Sequence, residues 1–338
     1  MRLDLTTLLW VLLTTSLVLA TAVLIVYWRS RSRDGLAAWG WGLLLHGLSY
    51  PVFALRFMGW IATSVVATNL MSAATIALHT LAVMQFQGSR AKSLPRAVLW
   101  GPVLVAVLSS AVLLHDHQMR NFMGSVILGV QAALLTWLAW GPGLVEPRER
   151  GRLLLVLGSM GLVLTLVARA VSTWQHTDWD ILVEVPIDIQ NLTYLAALPV
   201  VLLNTIGFVL MQKEHSERAL SEEEQRYRQL IESANEGICV IANGCFTLVN
   251  HQLCQMAGCT QEEMLGQSVF RFSDPRDEAL LRTNHQKRLS GKADELRYAA
   301  RMVVQDGSVR WWEIGGVAID WHGQRATLNF ITDVTERR

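Results

Sequence analysis

Thr205-Ile206-Gly207-Phe208-Val209-Leu210-Met211-Gln212-Lys213-Glu214-His215-Ser216-Glu217-Arg218 is where this chain changes solvent. Upstream of Met211 the sequence is a series of long apolar runs separated by short basic loops. From Gln212 onward it has polar turns, alternating strands and all four cysteines, Cys239, Cys245, Cys254 and Cys259. The 338 residues are 51% hydrophobic and 17% charged, too oily for a wholly soluble protein and too polar for one wholly in lipid. One change of this kind predicts a membrane half joined to a water half.

Working upstream, a helix needs roughly 20 apolar residues to cross a hydrocarbon core of about 30 Å. Seven stretches qualify: 5–27, 36–55, 61–84, 97–114, 122–140, 153–171 and 187–211. The first continues past Ala20-Thr21-Ala22 to a basic stop at Arg29, Arg31 and Arg33, which predicts an uncleaved anchor rather than a signal peptide. Positive charge collects on alternate loops. Arg29, Arg31 and Arg33, then Arg90, Lys92 and Arg96, then Arg148, Arg150 and Arg152 share one side with Lys213 and Arg218. Arg2, Arg56 and Arg120 share the other with Asp116, Asp178, Asp180 and Glu184. The bias places the N-terminus outside and the water half in the cytoplasm, where unpaired thiols are expected. Trp28, Trp39, Trp60, Trp140 and Trp174 fall near span ends, as interfacial anchors do.

Ionisable residues at membrane depth are costly and need a reason. His46 and His79 fall at comparable depth on neighbouring antiparallel spans. They predict either two neutral, hydrogen-bonded histidines or a pair able to hold a metal or haem. Arg169 and Asp188 fall at one level near the outer ends of the last two spans. They predict either a bracing ion pair or an outward pocket for a polar or anionic ligand. Arg56, Trp60, Arg169 and Trp174 would line that pocket, with 174–179 as its lid. Matching repeats and broken spans of the transporter kind are not evident. A net charge of +1 gives no nucleic-acid signal.

Working downstream, 212–230 is dense in charge and helix formers and lacks glycine and proline. Leu220, Tyr227, Leu230 and Ile231 form a partial seam near heptad spacing. The segment predicts a connecting helix, or a short parallel coiled coil in a homodimer. Beyond it, Asn243-Gly244, Asp306-Gly307 and His322-Gly323 punctuate five short strands, with helical stretches between the second and third. That is an α+β domain with a five-stranded antiparallel sheet.

The domain's motifs resemble those of the PAS family in sequence order. They are Tyr227 to Ala234 leading in, Glu236-Gly237-Ile238, Val249-Asn250 with Gly258, and Glu262-Glu263-Met264-Leu265-Gly266. Asp306-Gly307-Ser308-Val309-Arg310-Trp311-Trp312 and Asp333-Val334-Thr335-Glu336-Arg337-Arg338 complete the set. The resemblance implies that Asp333 and Thr335 relay signals through side-chain hydrogen bonds. It implies no tightly bound cofactor, since the flavin-type Asn-Cys-Arg-Phe motif is absent and His285 reads as a surface residue outside any haem pattern. Trp39 to Arg56, with Ala67-Thr68-Asn69, resembles seven-span sensory regions of bacterial receptors.

Together these readings predict three parts: a seven-helix membrane bundle at 1–211, a helical linker at 212–230 and a cytoplasmic PAS domain at 231–338. The expected role is a sensor input in the bacterial inner membrane. It would bind an unidentified small-molecule signal and hand it to an attached or separate output, a diguanylate cyclase first and a histidine kinase second. No catalytic signature is present. The rival readings are a transporter or membrane enzyme regulated by PAS, and a haem or metal sensor.

Overall fold

A computed structural model describes residues 5–30, 34–88, 94–141, 150–175, 187–290 and 297–337, with side chains from 192 onward in the helix beginning at 187. The chain divides into two compact units, Met1–Arg218 and Ala219–Arg338.

Each of the seven apolar runs becomes a helix. They are α1 (Leu5–Ser30), α2 (Leu36–Ala54), α3 (Ile61–Gln87), α4 (Arg96–Val112), α5 (His117–Trp140), α6 (Arg150–Gln175) and α7 (Ile187–Glu232). A 3-10 turn, Leu55–Met58, follows α2. Among the described residues, five helices are long and apolar enough to cross a bilayer, namely α1, α3, α5, α6 and the part of α7 from Leu192; the other two expected spans, α2 and α4, fall short of that length and composition. The two exceptions have separate causes. Helix α4 is only 17 residues long. Helix α2 has 19 residues, and its apolar run is interrupted by His46, Ser49, Tyr50 and Pro51.

The linker predicted as a separate element is the distal part of α7, which runs 46 residues without a break. At ~1.5 Å per residue that is about 70 Å of helix. Its proximal part packs on α6 at near backbone contact. A Cβ on Gly207 would lie 2.5 Å from Leu155 N and 2.8 Å from the carbonyl oxygen of Gly151, and one on Gly151 would overlap Met211 N. Small residues let membrane helices approach this closely.

The second unit is a five-stranded antiparallel sheet: β1 (Gly237–Ala242), β2 (Cys245–Val249), β3 (Tyr298–Val303), β4 (Val309–Trp321) and β5 (Gln324–Asp333). Strand order is β2-β1-β5-β4-β3. Asn243 and Gly244, at φ 53° and 76°, make the β1–β2 turn, and His322 and Gly323, at φ 54° and 76°, make the β4–β5 turn. Positive φ at both positions is what a two-residue hairpin turn requires. Helices α8 (His251–Ala257), α9 (Gln261–Met264) and α10 (Glu278–Leu289) fill the gap between β2 and β3. Thr260 and Glu263 form a reciprocal capping box at α9. One sheet face packs on these helices around Trp312, Met264 and Leu253, each at most 2% exposed. The four cysteines are free thiols.

Candidate functional site

Apolar faces drive α2, α3, α5, α6 and α7 together, yet their polar residues meet in one place. A cavity of about 210 Å³ is lined by His46, Ser49, Tyr50 and Phe53 of α2 and by Arg56 of the turn after it. Helix α3 adds Thr68, Asn69, Ser72, Thr75 and His79; α5 adds Arg120 and Asn121; α6 adds Leu162, Leu166 and Arg169; and α7 adds Thr193, Tyr194, Ala197, Val200 and Asn204. The contributions of α2 and α6 come mainly from their C-terminal halves, and those of α5 and α7 from their N-terminal halves. The cavity therefore belongs to one end of the helical unit.

The polar groups in the wall are mostly engaged. Each His46 ring nitrogen has a hydroxyl partner, Ser16 Oγ at 3.0 Å from Nδ1 and the Tyr50 hydroxyl at 3.1 Å from Nε2. Asn69 Nδ2 donates to Ser110 Oγ at 2.7 Å. The Arg56 guanidinium lies 3.7 Å above the Phe53 ring centroid, a favourable cation–π distance. Arg120, 2% exposed, donates to the carbonyls of Leu113 and Leu114 and approaches His117 Nδ1 at 2.8 Å. These carbonyls end α4, where the helix dipole favours a cation. Buried wall atoms without a hydrogen-bond partner among the described residues include Thr68 Oγ1, His79 Nε2 and Asn204 Oδ1.

His79 connects the cavity to α7. Its ring stacks on Trp39 at 4.1 Å, and Trp39 stacks on Phe208 of α7 at 4.3 Å. Trp39 Nε1 donates to Thr205 Oγ1 at 3.3 Å, also on α7. Asn204 sits in the notch left by Gly158, where a Cβ would come 2.5 Å from Oδ1.

The structure brings His46, His79, Arg56 and Arg169 to a common cavity. Trp60 and Trp174 do not join it: they are 62% and 61% exposed, and Trp174 lies against Phe122. The side chain of Asp188 lies outside the described residues. So do most of the proposed lid and the loop charges Arg2, Arg31, Arg33, Arg90, Lys92, Arg148, Asp178, Asp180 and Glu184. The described residues contain no group of three or more His, Cys, Asp or Glu able to hold a metal.

The second unit holds a smaller cavity of about 50 Å³ between sheet and helices, room for only a water or two. Arg288 of α10, 2% exposed, donates to Asn329 Oδ1 at 2.8 Å and to the Ile314 carbonyl at 3.3 Å. Trp312 Nε1 faces the same space without a partner among the described residues. Burial pushes the Cys239 thiol up to about 12, so it stays neutral and unreactive near neutral pH. His285 corrects the surface reading. It is 9% exposed, with its ring 6.3 Å from Phe270, and burial and Arg288 both lower its pKa.

The two ends of the domain are tied by side chains. Asn250 is fully buried, and its Oδ1 accepts from Ile238 N at 2.8 Å and Leu253 N at 3.0 Å. Its Nδ2 donates to the carbonyls of Ile231, in the last turn of α7, and Glu236, both at 3.0 Å. One residue thus caps α8, pins the start of β1 and holds the end of α7. At the other end Asp333 Oδ1 accepts from Thr335 N at 2.9 Å and from the Thr335 hydroxyl at 2.5 Å. Thr335 Oγ1 in turn accepts from Trp311 N at 2.9 Å, and Arg310 reaches Asp333 Oδ2 at 3.3 Å. Sequence reading found Asp333 and Thr335 but missed the roles of Asn250, Arg120, Asn204 and Arg288. A polar residue within an apolar helix is a signal for the middle two. Asn250 was marked only as part of the Val249-Asn250 motif, and nothing local marks Arg288.

The family model described as the PAS fold matches residues 225–334. Among solved structures, the PAS domain of an HTR-like protein from Haloarcula marismortui is 24% identical; the match covers 36% of this chain and 98% of that one, with a TM-score of 0.32. A PAS domain from a two-component sensor histidine kinase is 21% identical, covering 33% and 98%, with a TM-score of 0.29. A domain of the sensory box sensor histidine kinase/response regulator from Geobacter sulfurreducens is 21% identical, covering 32% and 95%, with a TM-score of 0.28. No curated protein matches the chain. Residues 225–334 are a PAS domain.

Proposed function

We propose that this chain is the input part of a membrane-bound signalling receptor. In this reading the seven helices cross the bilayer with the N-terminus outside and the PAS domain in the cytoplasm. A small-molecule signal enters the cavity among α2, α3, α5, α6 and α7, and α7 carries its effect to the PAS domain. A C-terminal or separate output then responds, a diguanylate cyclase first and a histidine kinase second, with two copies paired through the distal part of α7 and the PAS domain.

The carrying observation is that α7 is both a wall of the cavity, through Thr193 to Asn204, and the unbroken helix that ends at the PAS domain. A ligand touching Asn204 or Tyr194 therefore touches the element it must move. Helices α2 and α4 fit the seven-span reading despite their lengths. At ~1.5 Å per residue they extend about 28 and 26 Å, and small mismatches with a core of ~30 Å cost fractions of a kcal/mol per Å. The polar residues that lower the hydropathy of α2 are those facing the cavity, where polarity is tolerated.

The test uses the full chain fused in frame to a histidine-kinase output in nanodiscs. Filling the cavity from α7 with Ala197→Trp should shift kinase activity several-fold. A short Gly-Ser stretch inserted after Glu217 should abolish that shift while leaving basal activity measurable. Unchanged output from a folded, inserted Ala197→Trp receptor would overturn the reading.

A further inference from the structure

We infer that Cys254 and Cys259 form a modification site: a dithiol pair that a hydroperoxide closes to a reversible disulfide. The chemistry stands apart from the receptor reading and follows from how helix α8 ends.

The backbone sets the geometry. Helix α8 stops at Gly258, which takes a left-handed φ of 70°. Gly258 N donates to the Gln255 carbonyl at 3.3 Å, and Cys259 N donates to the Cys254 carbonyl at 3.1 Å. These two bonds make a Schellman cap, which sets the side chain after the left-handed residue against one from the last helical turn. That contact is ordinarily apolar; here both side chains end in sulfur. The 3.1 Å bond keeps the two Cα atoms less than about 7 Å apart. Disulfides span Cα separations of about 4.4–6.8 Å. Closure therefore calls for side-chain rotation and not for unwinding of α8.

Access and environment fit the same pair. Both cysteines are free thiols, and both line one crevice with Glu232, His251, Gln255 and Gln261. Cys254 is 8% exposed and Cys259 half-buried, so Cys259 meets an oxidant first. Burial raises the pKa of both thiols. Glu232 and the neighbouring Cys259 add to this at Cys254, which puts the two sulfur atoms within electrostatic reach. Glu263 adds to it at Cys259, against a smaller opposing effect of Arg271. Thiolate is the reactive form and is scarce at neutral pH under these shifts. The pair therefore answers sustained oxidant, and faster as pH rises.

The reaction balances in two steps. The Cys259 thiolate attacks a hydroperoxide oxygen: an S–O bond forms, the O–O bond breaks, and the leaving hydroxide or alkoxide takes up a proton. Cys254 then attacks the Cys259 sulfur: the S–S bond forms, the S–O bond breaks, and hydroxide leaves as water with the Cys254 proton. The two thiols give up two electrons and two protons, and hydrogen peroxide is reduced to two waters. Helix α8 also carries the tie to α7. Its cap Asn250 donates to the Ile231 carbonyl, and His251 N donates to Glu232 Oε2 at 2.7 Å. A bridge across its last turn would stiffen the helix that holds the end of α7. In the cytoplasmic setting of the receptor reading a glutathione pool would reopen the bridge, which makes it a switch and not a structural bond.

The experiment treats the full chain in nanodiscs with hydrogen peroxide at mildly alkaline pH, blocks the remaining thiols with a maleimide and maps the peptides without reduction. Cys254 and Cys259 should appear in one linked peptide, lighter by two hydrogens. Maleimide labelling of both should fall together at least tenfold and return after dithiothreitol. The buried Cys239 should stay unlabelled throughout, which shows that the domain has not opened. Cys254→Ser should leave a sulfenic acid on Cys259 that dimedone traps, and Cys259→Ser should keep Cys254 labelling within twofold of the untreated level. Full labelling of both cysteines after peroxide would overturn the assignment. So would a bridge to Cys245 or to a second copy, a loss of labelling that dithiothreitol does not restore, or a bridge found only where Cys239 also labels. None of these outcomes bears on the receptor reading, which fails separately, through the Ala197→Trp fusion.

Discussion

Replacing Asn250 with alanine removes the one side chain that joins α7, β1 and α8, and the cost can be worked from its four hydrogen bonds. Two of its partners, the carbonyls of Ile231 and Glu236, belong to partly exposed residues, and water can replace the lost donor there. The other two, Ile238 N and Leu253 N, are buried and lose their only named acceptor. Each orphaned buried N–H costs about 1–3 kcal/mol, so the substitution should cost the PAS domain about 2–6 kcal/mol. That is a large share of a typical domain stability of about 5–15 kcal/mol. Cys239 supplies the assay, because its thiol is fully buried and labels only when the domain opens. In full-length protein, thiol labelling read by mass spectrometry at Cys239 should accelerate by roughly one to four orders of magnitude, at about 1.4 kcal/mol per factor of ten. Amide exchange at Ile238 and Leu253 should accelerate further than in the β4–β5 ladder. An increase in Cys239 labelling below about fivefold would refute the reasoning, since it would mean that water or backbone shifts satisfy both N–H groups.

Further outcomes follow from other contacts. Gly151→Ala and Gly207→Ala place a Cβ against backbone of the facing helix, which cannot yield as a side chain can; each should cost several kcal/mol and lower the thermal midpoint of the N-terminal helical unit, measured by tryptophan fluorescence in nanodiscs. The Asp277 carboxylate is held by Arg301 Nε and Nη2 at 2.8 and 2.7 Å, and hydrogen bonding from Arg301 lowers its pKa to about 2. A depressed acid stabilises the fold above its unfolded pKa and loses that contribution as pH falls through the folded value. PAS stability should therefore drop between about pH 4 and pH 2, and Asp277→Asn should flatten that limb in denaturant titrations. Asp333→Ala should speed exchange at the Thr335 amide and uncouple a fused output while leaving folding and membrane insertion intact. A Thr335 amide that keeps its protection would contradict the turn geometry.

The PAS domain was legible because its local chemistry agrees at every level. Asn243-Gly244, His322-Gly323 and Asp306-Gly307 fix the hairpins through backbone conformation, and strand alternation fixes the core face. Helix α10 begins at Glu278, after Asp274 and Asp277 take up partners in the loop before it. The N-terminal helical unit was legible as helices but not as a site. Its helices are apolar on nearly every face, so periodicity carries little information about rotation. That is why Trp60 and Trp174 read as cavity residues and lie exposed, while Arg120 read as a loop charge and is buried. Asn204 and Thr68 had no signal beyond being polar in an apolar run. The connecting helix was legible in composition and in its lack of glycine and proline, and it lies within one helix from Ile187 to Glu232.

The proposed receptor has its cavity open to the cell exterior and its PAS domain in the cytoplasm. Thiol labelling in intact cells tests it most directly. A cysteine introduced by Phe57→Cys, at an exposed position beside Arg56, should react with an impermeant maleimide before the membrane is breached. Native Cys245 in the PAS domain should react only afterwards. Labelling in the opposite order, or of both positions from the outside, would contradict the claim.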